Sequence, residues 1–306
     1  MTAFRKALRK KRKASILIEG KSGMGKSYLA LRLAYALASK WDDIYAADTE
    51  QQSLDLADGV QLYDGCTVDG LNIADVDPDD AQAELFVNIR DEVVKAGGSV
   101  YIVDSTSHAW NNLLNTVNKL DSENAKMNKF NAWGQPQVMH NKNILGNSLW
   151  RSSDIHCITT VRLKDKVVMN PADNSVSKVY DAPIMQEQAV YEPDLVLRMT
   201  EAGTATTHPK ALVLKSRYAP FVQGVEYEWT PELCDALRQY VDEGASPADI
   251  DNQVKEQYIN KVTAIVKGSK TKAIKLKSLY KTMGLTDEKL SDLTTEQLNE
   301  LLNNLQ

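Results

Sequence analysis

The chain has 306 residues, 43% of them hydrophobic and 25% charged, with a formal net charge of −5. That length suits one large domain plus a smaller one, and the composition is that of an ordinary soluble globular protein. The acidic balance excludes a uniformly basic nucleic-acid coat, the scattered Cys66, Cys157 and Cys234 read as reduced thiols rather than a disulfide framework, and no apolar run approaches the ~18 residues of a membrane span.

Residues 4–13 carry seven cations and no acid, a basic N-terminal arm over residues 1–13. "SILIE" (15–19) is a short apolar run of buried-strand type, leading into "GKSGMGKS" (20–27). "YLALRLAYALA" (28–38) is apolar almost all round, a helix that must be covered on most sides. "IYAAD" (44–48) predicts a second strand and "VQLYD" (60–64) a short one. Asp77 and Pro78 give a helix-start signal for a helix running to about Lys95, ended by Gly97 and Gly98. "SVYIVDS" (99–105) and "IHCITTV" (155–161) are further buried strands. Strands alternating with helical stretches predict an α/β fold with a mainly parallel central sheet flanked by helices. Residues 163–183 alternate around Asn-Pro and Asp-Asn turns and read as a hairpin, and 194–199 and 210–217 as two more strands, antiparallel to one another. From Thr230 the pattern is helical. Thr230-Pro231 and Ser246-Pro247 are helix starts, Gly268 and Gly284 helix ends, and Thr294 to Gln297 a capping box. The expected division is therefore an arm (1–13), an α/β core (14–229) and a small helical domain (230–306).

Gly20-x-x-x-x-Gly25-Lys26-Ser27 is a P-loop pattern in the strand-to-helix setting that such a loop requires. Backbone N–H groups of Gly20, Lys21, Ser22, Gly23, Met24 and Gly25 would wrap the phosphates of ATP, with Tyr28 just beyond. Lys26 would neutralise the β- and γ-phosphates and the Ser27 hydroxyl would ligate Mg²⁺. A second metal-side carboxylate belongs at the end of a neighbouring strand, where "VYIVD" places Asp104. Glu50, just past the second strand, is the candidate base for the attacking water. "LVLKSRYAPF" (212–221) sets Lys215 and Arg217 on one side of a strand, roughly 7 Å apart, a pairing that needs an anion opposite.

GKSGMGKS (20–27), DTE (48–50), YIVDS (101–105), ITTVRLK (158–164) and LKSRYAPF (214–221), in this order, resemble the RecA-type recombinase ATPases, and more closely the short phage-encoded RecA-like ATPases made of little but the core. The resemblance covers about residues 14–229. It implies that Glu50 activates water, that Asp104 coordinates the metal, and that Lys215 and Arg217 reach the γ-phosphate bound to a neighbouring subunit. It implies a γ-phosphate sensor at Thr160, where the family has an amide, with Arg162 following. It also implies an oligomer, ring or filament, that binds single-stranded DNA and promotes annealing or recombination in the bacterial host's cytoplasm, with a single-strand-binding protein as a further partner. The family's DNA loop falls on 162–180, where Arg162, Lys164, Lys166, Lys178 and Tyr180 combine cations with a stacking platform. The arm and the seven lysines between Gln257 and Thr286 are competing basic stretches. "NKFNAWG" (128–134) and His140 share the resemblance without an assignable role. The rival reading is a loader ATPase of DNA replication that handles a protein partner, in which DNA is not the direct substrate.

Overall fold

In β1 (Ser15–Gly20) every residue is buried, the mark of a strand covered on both faces. The computed structural model describes residues 9–123, 129–146, 149–151, 154–169, 176–204, 206–245, 247–285 and 288–305. Two units divide it, residues 12–242 and residues 1–11 with 243–306.

The larger unit is a layered α/β fold. After β1 come α1 (Lys26–Ala38), β2 (Ile44–Asp48), the short β3 (Gln61–Tyr63) and β4 (Cys66–Thr67), β5 (Asn72–Asp75), α2 (Ala83–Lys95) and β6 (Val100–Asp104). Next are α3 (Ser107–Glu123), α4 (Lys129–Asn141), β7 (His156–Met169), β8 (Val176–Pro183), β9 (Leu195–Glu201), β10 (Lys210–Ser216), β11 (Glu226–Glu228) and α5 (Pro231–Asp242). The main sheet runs β11-β10-β9-β1-β7-β6-β2-β5, with β8 joined to β7. Its centre is parallel throughout, while β8, β10 and β11 are added antiparallel. One strand, β7, therefore separates the P-loop strand β1 from the Asp104 strand β6.

α1 fits the near-continuous apolar pattern of its sequence, burying nine positions from Lys26 to Leu37, seven of them in the cluster on one sheet face. Phe86, Val87 and Ala109 help to cover the other face. α2 starts at Ala83, later than the expected start near Asp77. Asp77 instead closes a turn, its carboxylate accepting from the Asp79 N–H and its carbonyl from the Asp80 and Ala81 N–H groups. The hairpin expected over 163–183 is present as β7 and β8, with β7 continuous from the buried sheet.

The smaller unit holds α6 (Pro247–Lys267), α7 (Lys270–Thr282) and α8 (Thr295–Leu305) around Val262, Leu285, Leu293, Leu298, Leu301 and Leu302. The capping box forms reciprocally: Gln297 N–H donates to Thr294 Oγ1 at 3.2 Å, and Thr294 N–H to Gln297 Oε1 at 2.8 Å. Residues 9–11 of the basic arm lie along 243–245, with Ala245 N–H on the Arg9 carbonyl and Arg9 paired to Glu243. The division falls after residue 242, one helix later than the expected 229, because α5 buries Cys234, Leu237 and Val241 in the same cluster as α1. Arg5, Lys6, Ser246 and Thr286 lie outside the described residues.

Candidate functional site

β1 ends at Gly20, where a Cβ would stand 3.1 Å from Met199 Cβ and 3.3 Å from Lys26 Cγ. Gly23 and Gly25 sit at φ 76° and 79°, left-handed conformations that side chains rarely adopt, and Gly25 caps α1. The loop thus turns its backbone toward the first turn of α1, the geometry in which N–H groups and the helix terminus converge on an anion. Ser22 and Met24 complete that loop, Met24 N–H donating to the Lys21 carbonyl. Lys26 is buried and donates to the Lys21 carbonyl at 3.2 Å. Burial lowers its pKa, Asp104 offsets that, and Arg162 adds to it. Tyr28 faces elsewhere: its hydroxyl donates to the Leu62 carbonyl at 2.6 Å and its ring lies under the Arg32 guanidinium.

Asp104 is 1% exposed and receives two hydroxyls, Ser27 Oγ on Oδ2 at 2.5 Å and Thr160 Oγ1 on Oδ1. The Ser27–Asp104 oxygen pair beside the P-loop is the donor set that magnesium takes when phosphates complete its shell. Thr160 is fully buried and directed at Asp104, so in this structure it orients the carboxylate.

Asp48, at the end of β2, accepts the Glu50 N–H at 2.6 Å and the Leu54 N–H at 2.8 Å. Its buried carboxylate, its pKa raised by that burial, shapes the turn that presents Glu50, with Gln51 and Gln52 at positive φ. Glu50 is clamped. Arg162 Nε donates to Oε1 at 2.8 Å, its terminal nitrogen reaches Oε2, and Ser105 Oγ donates to Oε1 at 2.8 Å. His108, absent from the candidates read from the sequence, bonds Thr49 Oγ1 through Nδ1 at 2.7 Å. Burial lowers its pKa despite Asp104, Asp48 and Asp79 nearby. Thr49 also ties the two strand ends together, its N–H on the Asp104 carbonyl and its hydroxyl receiving the Ser105 N–H.

Lys21 leaves the loop altogether. Its Nζ lies 3.3 Å from Asp165 and 3.2 Å from Asp181, and Lys178 pairs with the same two carboxylates at 2.9 and 2.6 Å. These four charges, with Asp181 half-buried and the other three exposed, fasten the β7–β8 hairpin to the P-loop, and they neutralise Lys178. By strand alternation Arg162, Lys164 and Lys166 share one face of β7, and Tyr180 stands opposite Lys166 in the register. Lys164, Lys166 and Tyr180 are exposed.

Lys215 and Arg217 both donate to the Tyr191 carbonyl, which places them on the expected common side. Within the chain their anion is Asp194, 8% exposed at its side chain, with Arg217 at 2.8 Å. Lys215 also donates to Pro193 O at 2.5 Å and Val190 O at 3.3 Å. Burial and the adjacent Arg217 push its pKa down to about 8. Among the described residues no helix is long and apolar enough to cross a membrane.

Residues 12–218 match a family model described as an AAA domain, AAA_24. Two solved structures similar to the chain are the KaiC-like protein PH0186 of the hyperthermophilic archaeon Pyrococcus horikoshii OT3 and the flagellar accessory protein FlaH of Methanocaldococcus jannaschii. The first is 16% identical, covers 72% of this chain and 87% of its own, and gives a TM-score of 0.39. The second is 16% identical, covers 70% and 84%, and gives 0.38. No curated protein matches.

Proposed function

We propose that this chain, which belongs to the AAA domain family, couples ATP hydrolysis to the handling of single-stranded DNA as an oligomer, promoting annealing or recombination in the manner of the phage-encoded RecA-like ATPases it resembles. The chain is an ATPase. Lys26 neutralises the β- and γ-phosphates. Ser27 and Asp104 would hold Mg²⁺, which would supply positive charge to offset that developing on the phosphates. Glu50 directs and deprotonates water once Arg162 and Ser105 release it, since a carboxylate with both oxygens engaged is a poor acceptor. Lys215 and Arg217, freed from Asp194 and the 190–193 carbonyls, complete the site of a neighbouring copy.

The observation that carries the DNA reading is the row on β7. Arg162 clamps Glu50, and the same strand face continues outward as Lys164, Lys166 and the Tyr180 ring, cations interleaved with an aromatic as single strands are gripped. The test is turnover with and without an oligonucleotide in Lys164→Glu plus Lys166→Glu. DNA stimulation is lost and DNA-free turnover kept. Stimulation equal to wild type would overturn the assignment. The exposed Val167, Val168, Met169 and Val176 favour the rival loader reading, in which the hairpin meets a protein. That reading expects no oligonucleotide stimulation in the parent protein.

A further inference from the structure

α3 and α4, with the start of α2, enclose a cavity of about 450 Å³, within the size range of small-molecule sites. It takes in residues 131–140 of the segment that the ATPase reading leaves unused. Ala109, Leu113, Ala132, Pro136 and Met139 supply apolar walls, and Asn112, His140 and Asn143 supply polar edges.

The directions of the Asn112 and Asn143 amides are fixed by what already occupies them. Asn112 Nδ2 donates to the carbonyls of Pro78 at 2.8 Å and Ala81 at 2.6 Å. Carbonyls only accept, so the amide cannot be turned around, and Oδ1 is left as the acceptor a ligand would meet. Asn143 is in the same position, with Nδ2 on the Met139 carbonyl at 3.1 Å. His140 is 8% exposed, its ring edge-on to Trp110 at 5.7 Å, and it makes no hydrogen bond among the described residues. Burial pushes its pKa down to about 4, so at neutral pH it offers one N–H and one bare nitrogen. No lysine or arginine lines the space, and its one carboxylate, Glu84, is exposed. Anions are disfavoured. A flat, uncharged ring with polar edges fits.

We propose that this cavity binds an amino-bearing nucleobase, the exocyclic amine donating to the carboxamide oxygens of Asn112 and Asn143 and a ring nitrogen meeting His140. Cytosine, adenine and guanine have that amine, whereas uracil and thymine present a carbonyl in its place. The base comes from a free nucleoside or from an unstacked position of a single strand. Only the second source rests on the DNA reading above.

Cytidine and uridine are the probes, because they share sugar and ring and differ at the one group in question. With the P-loop saturated by ADP to remove competition there, saturation-transfer NMR and Trp110-sensitive fluorescence measure each affinity. Cytidine should bind at least about tenfold tighter than uridine, the worth of one well-made hydrogen bond to a buried acceptor. His140→Ala should erase about tenfold of the cytidine affinity while ADP binding stays unchanged. His140→Gln, which keeps polar reach and volume, replaces it if the alanine variant does not fold by circular dichroism. Equal affinities for cytidine and uridine, or cytidine binding indifferent to His140, overturn the proposal. Oligo-dC and oligo-dT separate the sources. A His140-dependent preference for oligo-dC assigns the base to the strand, and one seen only with cytidine assigns it to a free nucleoside. If neither probe shows the preference the proposal is wrong. If no oligonucleotide binds at all while cytidine does, the DNA reading fails and this site stands.

Discussion

Thr160→Val is the most direct probe of the metal side of the site. The substitution keeps the shape of the side chain and removes one hydroxyl, the one that donates to Asp104 Oδ1. Asp104 is 1% exposed, so water does not replace that donor, and Ser27 remains as the other side-chain hydroxyl on the carboxylate. Losing a hydrogen bond to a buried charged group costs ~1.5–3 kcal/mol. For a domain of this size that lowers the melting temperature by ~3–12 °C, at about 2–4 °C per kcal/mol. A purely structural threonine would do that and nothing more. Because the hydroxyl also orients the carboxylate that would hold Mg²⁺, we expect the Mg²⁺ concentration for half-maximal ATPase to rise ~10–100-fold, with turnover recovering at saturating Mg²⁺. Thr160→Ser should restore it. A titration of ATPase against Mg²⁺ decides the matter. If Thr160→Val shifts the melting temperature but leaves the Mg²⁺ dependence unmoved, the orienting role is refuted. If it abolishes turnover at every Mg²⁺ concentration with nucleotide binding intact, the sensor role expected from the sequence is reinstated.

Lys215 gives a pH signature. With its pKa lowered to about 8, the ammonium that would meet a neighbour's γ-phosphate is lost as pH rises through 8, so oligomer-dependent turnover should fall there, and Lys215→Arg should abolish that fall. Its stability contribution has the opposite sign. Between about 8 and its ordinary 10.5 the unfolded chain binds the proton and the folded one does not, so stability rises with pH through that window. A pH–rate profile flat from 7 to 9 would count against a charged Lys215 in turnover. Arg32→Met should be severe although it is remote from phosphate chemistry. Arg32 is 2% exposed and donates to the carbonyls of Trp229 and Leu62 and to His208, so its loss strands two buried acceptors and costs ~2–5 kcal/mol by urea unfolding. A loss under about 1 kcal/mol would mean that those carbonyls find other donors.

The parts legible in the sequence are those whose chemistry restricts residue type at short range. Gly23 and Gly25 are needed for positive φ, Lys26 and Ser27 follow at fixed spacing, and a carboxylate ends a buried strand at Asp104. The Thr294–Gln297 box is equally local. What was not legible depends on partners far along the chain. Arg162 reads as a DNA or sensor residue until the fold brings it to Glu50, 112 positions away. Asp194 is an ordinary acid until Arg217 closes on it. α4 carries Gly134 and Pro136, both poor helix formers, yet Ala132 packs with Leu113 and Val117 of α3 and the helix persists through Pro136. The start of α2 failed for the opposite reason: the Asp77 signal was real but closed a separate turn.

How a strand bound outside could reach Glu50 follows from the pairing of β7. Over Cys157–Thr159 it is hydrogen-bonded on both sides, by β1 and β6, and β1 continues to Arg162. From Leu163 outward only β8 accompanies it. The inner strand cannot slide without breaking ladders on both flanks, so a load on the hairpin is taken up as bending where the pairing with β1 ends. Arg162 sits at that point. Its guanidinium is the group whose hold on Glu50 a small change of angle would break, and the Lys21 pairs to Asp165 and Asp181 would open with it. With Asp165 exposed and Asp181 half-buried, these pairs are worth only ~0–1 kcal/mol each, so such links would give way at the energy of a few phosphate contacts. The buried Thr160–Asp104 contact, two residues inward and paired on the rigid side, would not move. Control of the base and retention of the metal are thus set apart along one strand, Arg162 at the place where β1 ends and Thr160 two residues inside it.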